Sequence, residues 1–380
     1  MSALIPGRAT ALATARYMKH QGARNAAGHY SDFLDTGIKL SALGVGTFPG
    51  VAEDGVDEAV AQIVLDAVLG GINLIDTGAH YRYGRAARAV GRGLSRAWDS
   101  GVAREAVFLI GKGGFLLFPE GPPANPIQWF EEHIAEPGLG HREDLAANVH
   151  LMTPTYLRHQ IEWLRQALGV AVLDAFLIDQ PEAQIQTVGK PELVRRLDAA
   201  FVALEQAVRE GLIGWYGVSS FNSFRVAQDE DAFVSLTSLV ALAERAAAEV
   251  FGAHNSPHHF RVIELPFNAV MPEGFTRFNQ VIGDGSEMST LQAALRLQLF
   301  TVASHSLFKG HLAQHALDPL VQTMPRLSAA QRALQFNRST PGLGAALAGM
   351  SNPAHLQDLL LVARQDLLPQ AVFLEMFQKA

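Results

Sequence analysis

The stretch GINLIDTGAHYRYG, residues 71–84, concentrates groups that donate, accept and move protons. Residues 73–75 read as a short buried strand after the glycine stop at Gly70 and Gly71, and Asp76 closes it. A carboxylate at the end of a buried strand is costly to desolvate unless a cation meets it. Tyr81, five residues on, has the reach to fold back over the strand end and present its hydroxyl to the opening. Lys112, at the end of the apolar run VFLIGK, supplies the cation. An ammonium beside a phenol stabilises the phenolate and lowers its pKa, which makes the phenol a proton donor near neutral pH. The chemistry is protonation of a carbonyl oxygen while another group delivers hydride. The plainer reading of the same stretch is a strand-to-helix turn with an aromatic lid.

Such side chains need a frame in which strands end at one place. Short apolar strands are expected at residues 43–50, 73–76, 107–111, 172–178, 215–219, 261–266, 300–303 and 344–348. Helical spacing follows or leads on from them at 53–69, 85–98, 155–168, 192–210, 233–250, 290–297 and 329–337, with a last helix opening at Asn352 and Pro353. Eight β-then-α repeats close most naturally as an α/β fold of the (β/α)8, or TIM-barrel, type, with the site at the carboxyl ends of the strands. A doubly wound sheet is disfavoured because no G-x-G-x-x-G follows the first strand. Residues 115–152, after the third strand, carry Pro119, Pro122, Pro123, Pro126 and Pro137 and read as a long irregular loop. The expected organisation is an N-terminal arm, 1–37, and a single barrel domain, 38–380.

Composition narrows the function classes. With 48% hydrophobic and 18% charged residues the chain can bury a large core. A net charge of −7 provides no pull towards nucleic acid or an anionic membrane, so neither is expected as a partner. No apolar run approaches a membrane span. With no cysteine, disulfides, thiolate metal sites and a cysteine nucleophile are excluded. The first residues are basic, with Arg8, Arg16, Lys19 and Arg24 and no acid before Asp32, as in a transit peptide, but a loosely packed arm of a cytoplasmic protein is the preferred reading. His254, His258 and His259 precede the sixth strand, on the face opposite the site, and are expected to be solvated rather than metal-binding.

On this frame Asp76, Tyr81, Lys112, Asp179, Ser219, Ser220, Glu264 and Ser304 converge on one mouth. Here the chain resembles the aldo-keto reductases, through LSALGVGTFPG, NLIDTGAHYRYGRAARAVGRGL, VFLIGKGG, FLIDQPE, YGVSSFN, IELPFNAVMPEG, ASHSLFKG and the C-terminal RSTPGLGAALAGMSNPAHL. The resemblance implies a (β/α)8 barrel that uses NADPH, with NAD an alternative, and reduces aldehydes or ketones to alcohols. It assigns catalysis to Asp76, Tyr81 and Lys112, while the second phenol, Tyr83, lies at the wrong spacing. Cofactor contacts fall on Gly46, Thr47, Ser219, Ser220, Glu264, Ser304, Leu307, Gly310, Gly349, Ser351 and His355.

Three positions depart from the family pattern. Asp179, in DQPE, stands where a histidine is usual; protonated, it would donate a hydrogen bond to the substrate oxygen. Glu264 replaces a glutamine and, being anionic, would favour the oxidised cofactor. Leu359 replaces an asparagine that contacts adenine, and no arginine or lysine occupies this tail. His150 is a candidate substitute imidazole, and Phe115, Phe118 and Trp129 are candidate linings of the opening. These departures leave open a second reading, a barrel that binds NADP(H) as a sensor or partner-binding module.

Overall fold

The computed structural model describes residues 3–22, 24–252, 256–315 and 317–378. Eight parallel strands close into a barrel: β1 (Leu43–Gly46), β2 (Leu74–Gly78), β3 (Phe108–Gly113), β4 (Leu173–Asp179), β5 (Ile213–Ser219), β6 (Phe260–Pro266), β7 (Phe300–Ser304) and β8 (Ala345–Gly349). β8 pairs with β1 to complete the ring. The arm helix α1 (Ala11–Gln21) precedes the barrel. Around it lie α2 (Asp54–Leu69), α3 (Arg85–Asp99), α4 (Pro154–Leu168), α5 (Ile185–Arg209), α6 (Leu236–Phe251), α7 (Thr290–Arg296), α8 (Ala329–Arg338) and α9 (Leu356–Ala363). Among the described residues no helix is long and apolar enough to cross a membrane.

Two apolar layers follow from the alternation of side chains along each strand. Val45, Ile75, Leu109 and Ile178 face outward into the helices, while Leu74, Phe108, Ile110, Leu177, Val262, Val302 and Leu347 fill the barrel. The arm completes the inner layer and is not loosely packed. Tyr30–Asp32 and Lys39–Ser41 pair as a hairpin. Between them Phe33 is fully buried, its ring 4.9 Å from Phe108, 4.9 Å from Trp215 and 5.2 Å from Phe300. Arg8 lies 4.3 Å over the Trp215 ring, and the Ala9 N–H donates to Asp174 at 2.6 Å. Apolar residues of the arm thus close the bottom of the barrel and leave the other end open.

Some elements were not foreseen. The loop 115–152 contains a short helix, Pro126–Phe130, because Pro126 occupies the first turn, where its missing N–H costs nothing, and Asn125 caps it. A hairpin of Phe278–Val281 and Glu287–Ser289 interrupts the connection from β6 to α7. α5 starts seven residues before the expected 192, with a break at Gly189, whose φ of 77° and ψ of 164° are accessible to glycine.

Candidate active site

Asp76, Tyr81, Lys112 and Glu264 meet at the carboxyl ends of β2, β3 and β6 and the turn after β2. Lys112 Nζ lies 3.0 Å from the Asp76 carboxylate, 3.2 Å from the Tyr81 hydroxyl and 2.6 Å from Glu264 Oε1. All four residues are buried. The Thr47 hydroxyl donates to the Asp76 carbonyl at 3.0 Å, and the Ala79 N–H to the Lys112 carbonyl at 2.9 Å, so backbone pairing holds both strand ends. Thr47, expected at the cofactor, is committed to this brace.

One cation therefore faces several carboxyl groups. Burial pushes the Asp76 carboxyl up, against the pull of Lys112. Burial likewise pushes Glu264 up, again opposed by Lys112. Burial works to lower Lys112, but Asp76 and Glu264 outweigh it and the ammonium stays charged. The sequence expectation of a lowered tyrosine pKa is reversed. Burial holds the Tyr81 phenol well above its ordinary range; Lys112 pulls it down, while Asp179, Asp76 and Glu264 push it up. One cation beside one phenol would lower it, but burial and a second carboxylate on that cation reverse the balance.

Asp179, at the end of β4, is buried, and burial raises its carboxyl while Lys112 and hydrogen bonds from Ser219 and Gln180 oppose the rise. His80, which sequence reasoning passed over, places Nε2 3.5 Å from Asp179 Oδ2. Its ring meets Tyr81 edge-on at 4.7 Å and Phe115 at 4.8 Å. Burial, followed by the Lys112 charge, lowers His80 to about 3, so the imidazole is neutral. The signal was its place directly before the phenol in GAHY. Phe48, 65% exposed, stands edge-on to Tyr81 at 5.1 Å and forms an apolar wall of the mouth.

Other candidates fall elsewhere. His150 is fully buried; its Nε2 donates to the Asp179 carbonyl at 2.8 Å and its Nδ1 accepts from Gln184 at 2.9 Å, so both nitrogens are engaged and it is no substitute imidazole. Phe115 reaches the site, but Phe118 and Trp129 meet edge-on at 4.6 Å within the loop's own small core. Tyr83 makes no contact with Lys112. His254 lies outside the described residues. His259 is not merely solvated: its Nδ1 lies 2.7 Å from the fully buried Glu205. Among the described residues no group of three or more His, Asp or Glu could hold a metal ion.

The remaining cofactor candidates rim the same end. Ser220 donates to Glu182 at 2.7 Å, and Ser304 lies 3.4 Å from the His305 ring. Gly46 pairs with Asp76 and with Gly349 in the barrel register. Gly349 and His355 are exposed, and Leu307, Gly310 and Ser351 are half-buried. The expected helix start at Asn352 is a 3-10 turn, Pro353–His355, ahead of α9; Asn352 caps it by accepting from the Ala354 N–H at 3.0 Å. Leu359 is fully buried in the core, which removes it from any adenine contact. Glu264 Oε2 and Ser306 Oγ are buried without a partner, an acceptor and a hydroxyl left for a ligand. Lys309, exposed beside Gly310, is a cation that the sequence reading of the tail did not count.

A sequence model of the aldo/keto reductase family matches residues 42–377. The chain belongs to the aldo/keto reductase family. This aldo/keto reductase is similar in fold to one from Klebsiella pneumoniae, solved in complex with NADP and acetate, at 16% identity over 91% of this chain and 93% of that one, with a TM-score of 0.57. It is also similar to the aldo-keto reductase AKR11C1 from Bacillus halodurans, in its holo form, at 14% identity over 92% and 96% of the two chains, with a TM-score of 0.62. No curated protein matches it by sequence. Family membership makes it an oxidoreductase, of a family that acts on small carbonyl compounds.

Proposed function

We propose that this aldo/keto reductase reduces an aldehyde or ketone to an alcohol with NADP(H), Tyr81 giving the proton. The observation that carries the reading is the buried contact of Lys112 with the phenol at 3.2 Å, beside a wall open to substrate at Phe48. NADP is taken from the Klebsiella relative's complex and from the family. Glu264 Oε2 would accept from the carboxamide, Ser306 would bond the same ligand, and Lys309 and Ser351 would face its phosphates. When bound, the nicotinamide supplies the hydride.

Tyr81 holds its proton over a wide pH range, because burial and the Asp76 and Glu264 carboxylates disfavour the phenolate. Its hydroxyl passes that proton to the carbonyl oxygen, and Lys112 stabilises the phenolate left behind. Asp76 and Glu264 keep Lys112 charged and in place. In its acid form, which burial favours, Asp179 donates a second hydrogen bond to the oxygen, and the neutral His80 beside it returns an imidazole to a site whose family pattern has one at β4. Phe48 and Phe115 favour a carbonyl on an apolar or aromatic body.

Activated aryl aldehydes with NADPH test this reading. Wild-type protein should turn over, and Tyr81→Phe should lose about 10²- to 10⁴-fold in kcat. Unchanged turnover in Tyr81→Phe removes the mechanism. NADPH binding without turnover of any member of the panel points to the sensor reading instead.

A further inference from the structure

Tyr81 is followed by three consecutive residues in the left-handed region: Arg82 (φ 48°, ψ 43°), Tyr83 (φ 60°, ψ 38°) and Gly84 (φ 79°, ψ −5°). Only the last is a glycine. A side chain with a Cβ disfavours this conformation at each position, so two neighbouring non-glycine residues hold it only when their surroundings over-determine it. A sequence that relied on intrinsic backbone preference would place glycine here.

The clamp is an ion cluster from a different element. Arg82 is buried at 8% exposure, and its Nη1 lies 2.5 Å from Oδ1 of Asp57, itself 5% exposed, in the first turn of α2. The other oxygen of Asp57 lies 2.7 Å from Nη2 of Arg85, the first residue of α3. One carboxylate thus staples both ends of the left-handed turn to α2. The other two guanidinium nitrogens of Arg82, Nε and Nη2, are buried without partners, so Asp57 is what compensates the buried charge. Tyr81 sits at the edge of this turn, one peptide bond from the strained segment, with its hydroxyl 3.2 Å from Lys112 Nζ.

We propose that the Asp57–Arg82 pair is the positioning device for Tyr81: an interelement staple that holds a left-handed turn which Arg82 would otherwise leave. Arg82 and Asp57 touch neither the reacting groups nor the mouth, and act through the backbone. The proposal rests on the role of Tyr81 given above.

Arg82→Ala and Arg82→Gly separate the staple from the charge. Both delete the guanidinium and leave Asp57 with Arg85, but only glycine enters the left-handed region freely. Arg82→Ala should lower kcat at least tenfold with KM for the aldehyde changed less than twofold. Arg82→Gly should restore kcat to within about threefold of wild type. Equal kcat in the two variants, in either direction, overturns the proposal. Should Arg82→Ala fail to fold, Asp57→Asn is compared with Asp57→Asn/Arg82→Gly: the double variant must regain the kcat lost by the single one, and a double variant as slow as the single overturns the idea. If wild-type protein turns over no aldehyde, the reading of the site fails, and the staple is judged at neutral pH by the Tyr81 signal in the 13Cζ-tyrosine NMR spectrum, assigned by its loss in each Tyr81→Phe counterpart. Arg82→Ala should then shift the Tyr81 signal while Arg82→Gly leaves it at the wild-type position; identical signals overturn the staple.

Discussion

Glu264 alters the chemistry of the residue it touches. Its carboxylate contacts Lys112 at 2.6 Å and raises the Tyr81 phenol through space. In the proposed mechanism reduction requires the protonated phenol, so activity is lost as pH rises through the folded pKa of Tyr81. Glu264→Gln removes an anion, lowers that pKa, and should move the basic limb of kcat/KM for reduction to lower pH. The same substitution should weaken the preference for oxidised over reduced cofactor, read from the two dissociation constants. A basic limb that stays put would remove Glu264 from the proton chemistry. Asp179 gives the opposite kind of test. In the proposed mechanism its acid form is the active one, so wild-type activity should decline as pH rises through its raised pKa. Asp179→Asn keeps an N–H donor that cannot titrate and should flatten that decline; superimposable profiles would deny Asp179 an acid role.

At the level of elements, the arm does more than precede the barrel. Phe33 fills the bottom of the inner core between Phe108, Trp215 and Phe300, far from the catalytic mouth. Phe33→Ala should cost about 3–5 kcal/mol in unfolding free energy by denaturant titration, with kcat of the surviving folded protein little changed. A loss under about 1 kcal/mol would mean that the neighbouring rings collapse into the space. The arm illustrates how far local patterns go. Hydrophobic spacing made the eight strands and most helices legible to within a few residues, because each strand had to alternate or run apolar to be buried. It could not reveal that Phe33, in an Ala-rich basic arm, is a core residue, since that burial depends on contacts 75 and more positions away in the chain.

For the whole molecule, buried neutral imidazoles tie stability to pH. His29, within the arm, is fully buried, its Nε2 at 3.2 Å from the Gly71 carbonyl, and burial, with Arg338 second, lowers it to about 4. The unfolded chain takes up this proton near pH 6.5 and the folded chain does not, so stability is complete above that pH and declines as pH falls towards 4. The loss from this one group is about 3 kcal/mol. His29→Gln should abolish that share of the decline between pH 6.5 and 4, measured as the difference between wild-type and variant unfolding free energies; parallel curves would show that His29 is protonated in the fold.

Residue types and spacing by themselves determined the barrel, the family and the trio of Asp76, Tyr81 and Lys112, because strand periodicity is local and the motif residues lie at strand ends that a closed barrel must bring together. Tertiary structure alone decided the charge balance at the site. That Glu264 shares Lys112 with Asp76, that His80 turns to Asp179, that His150 is spent on a carbonyl and that Asp57 grips Arg82 are contacts between elements 25 to 152 residues apart. The acidity of a buried group depends on distance and desolvation, and neither is written in the order of the residues.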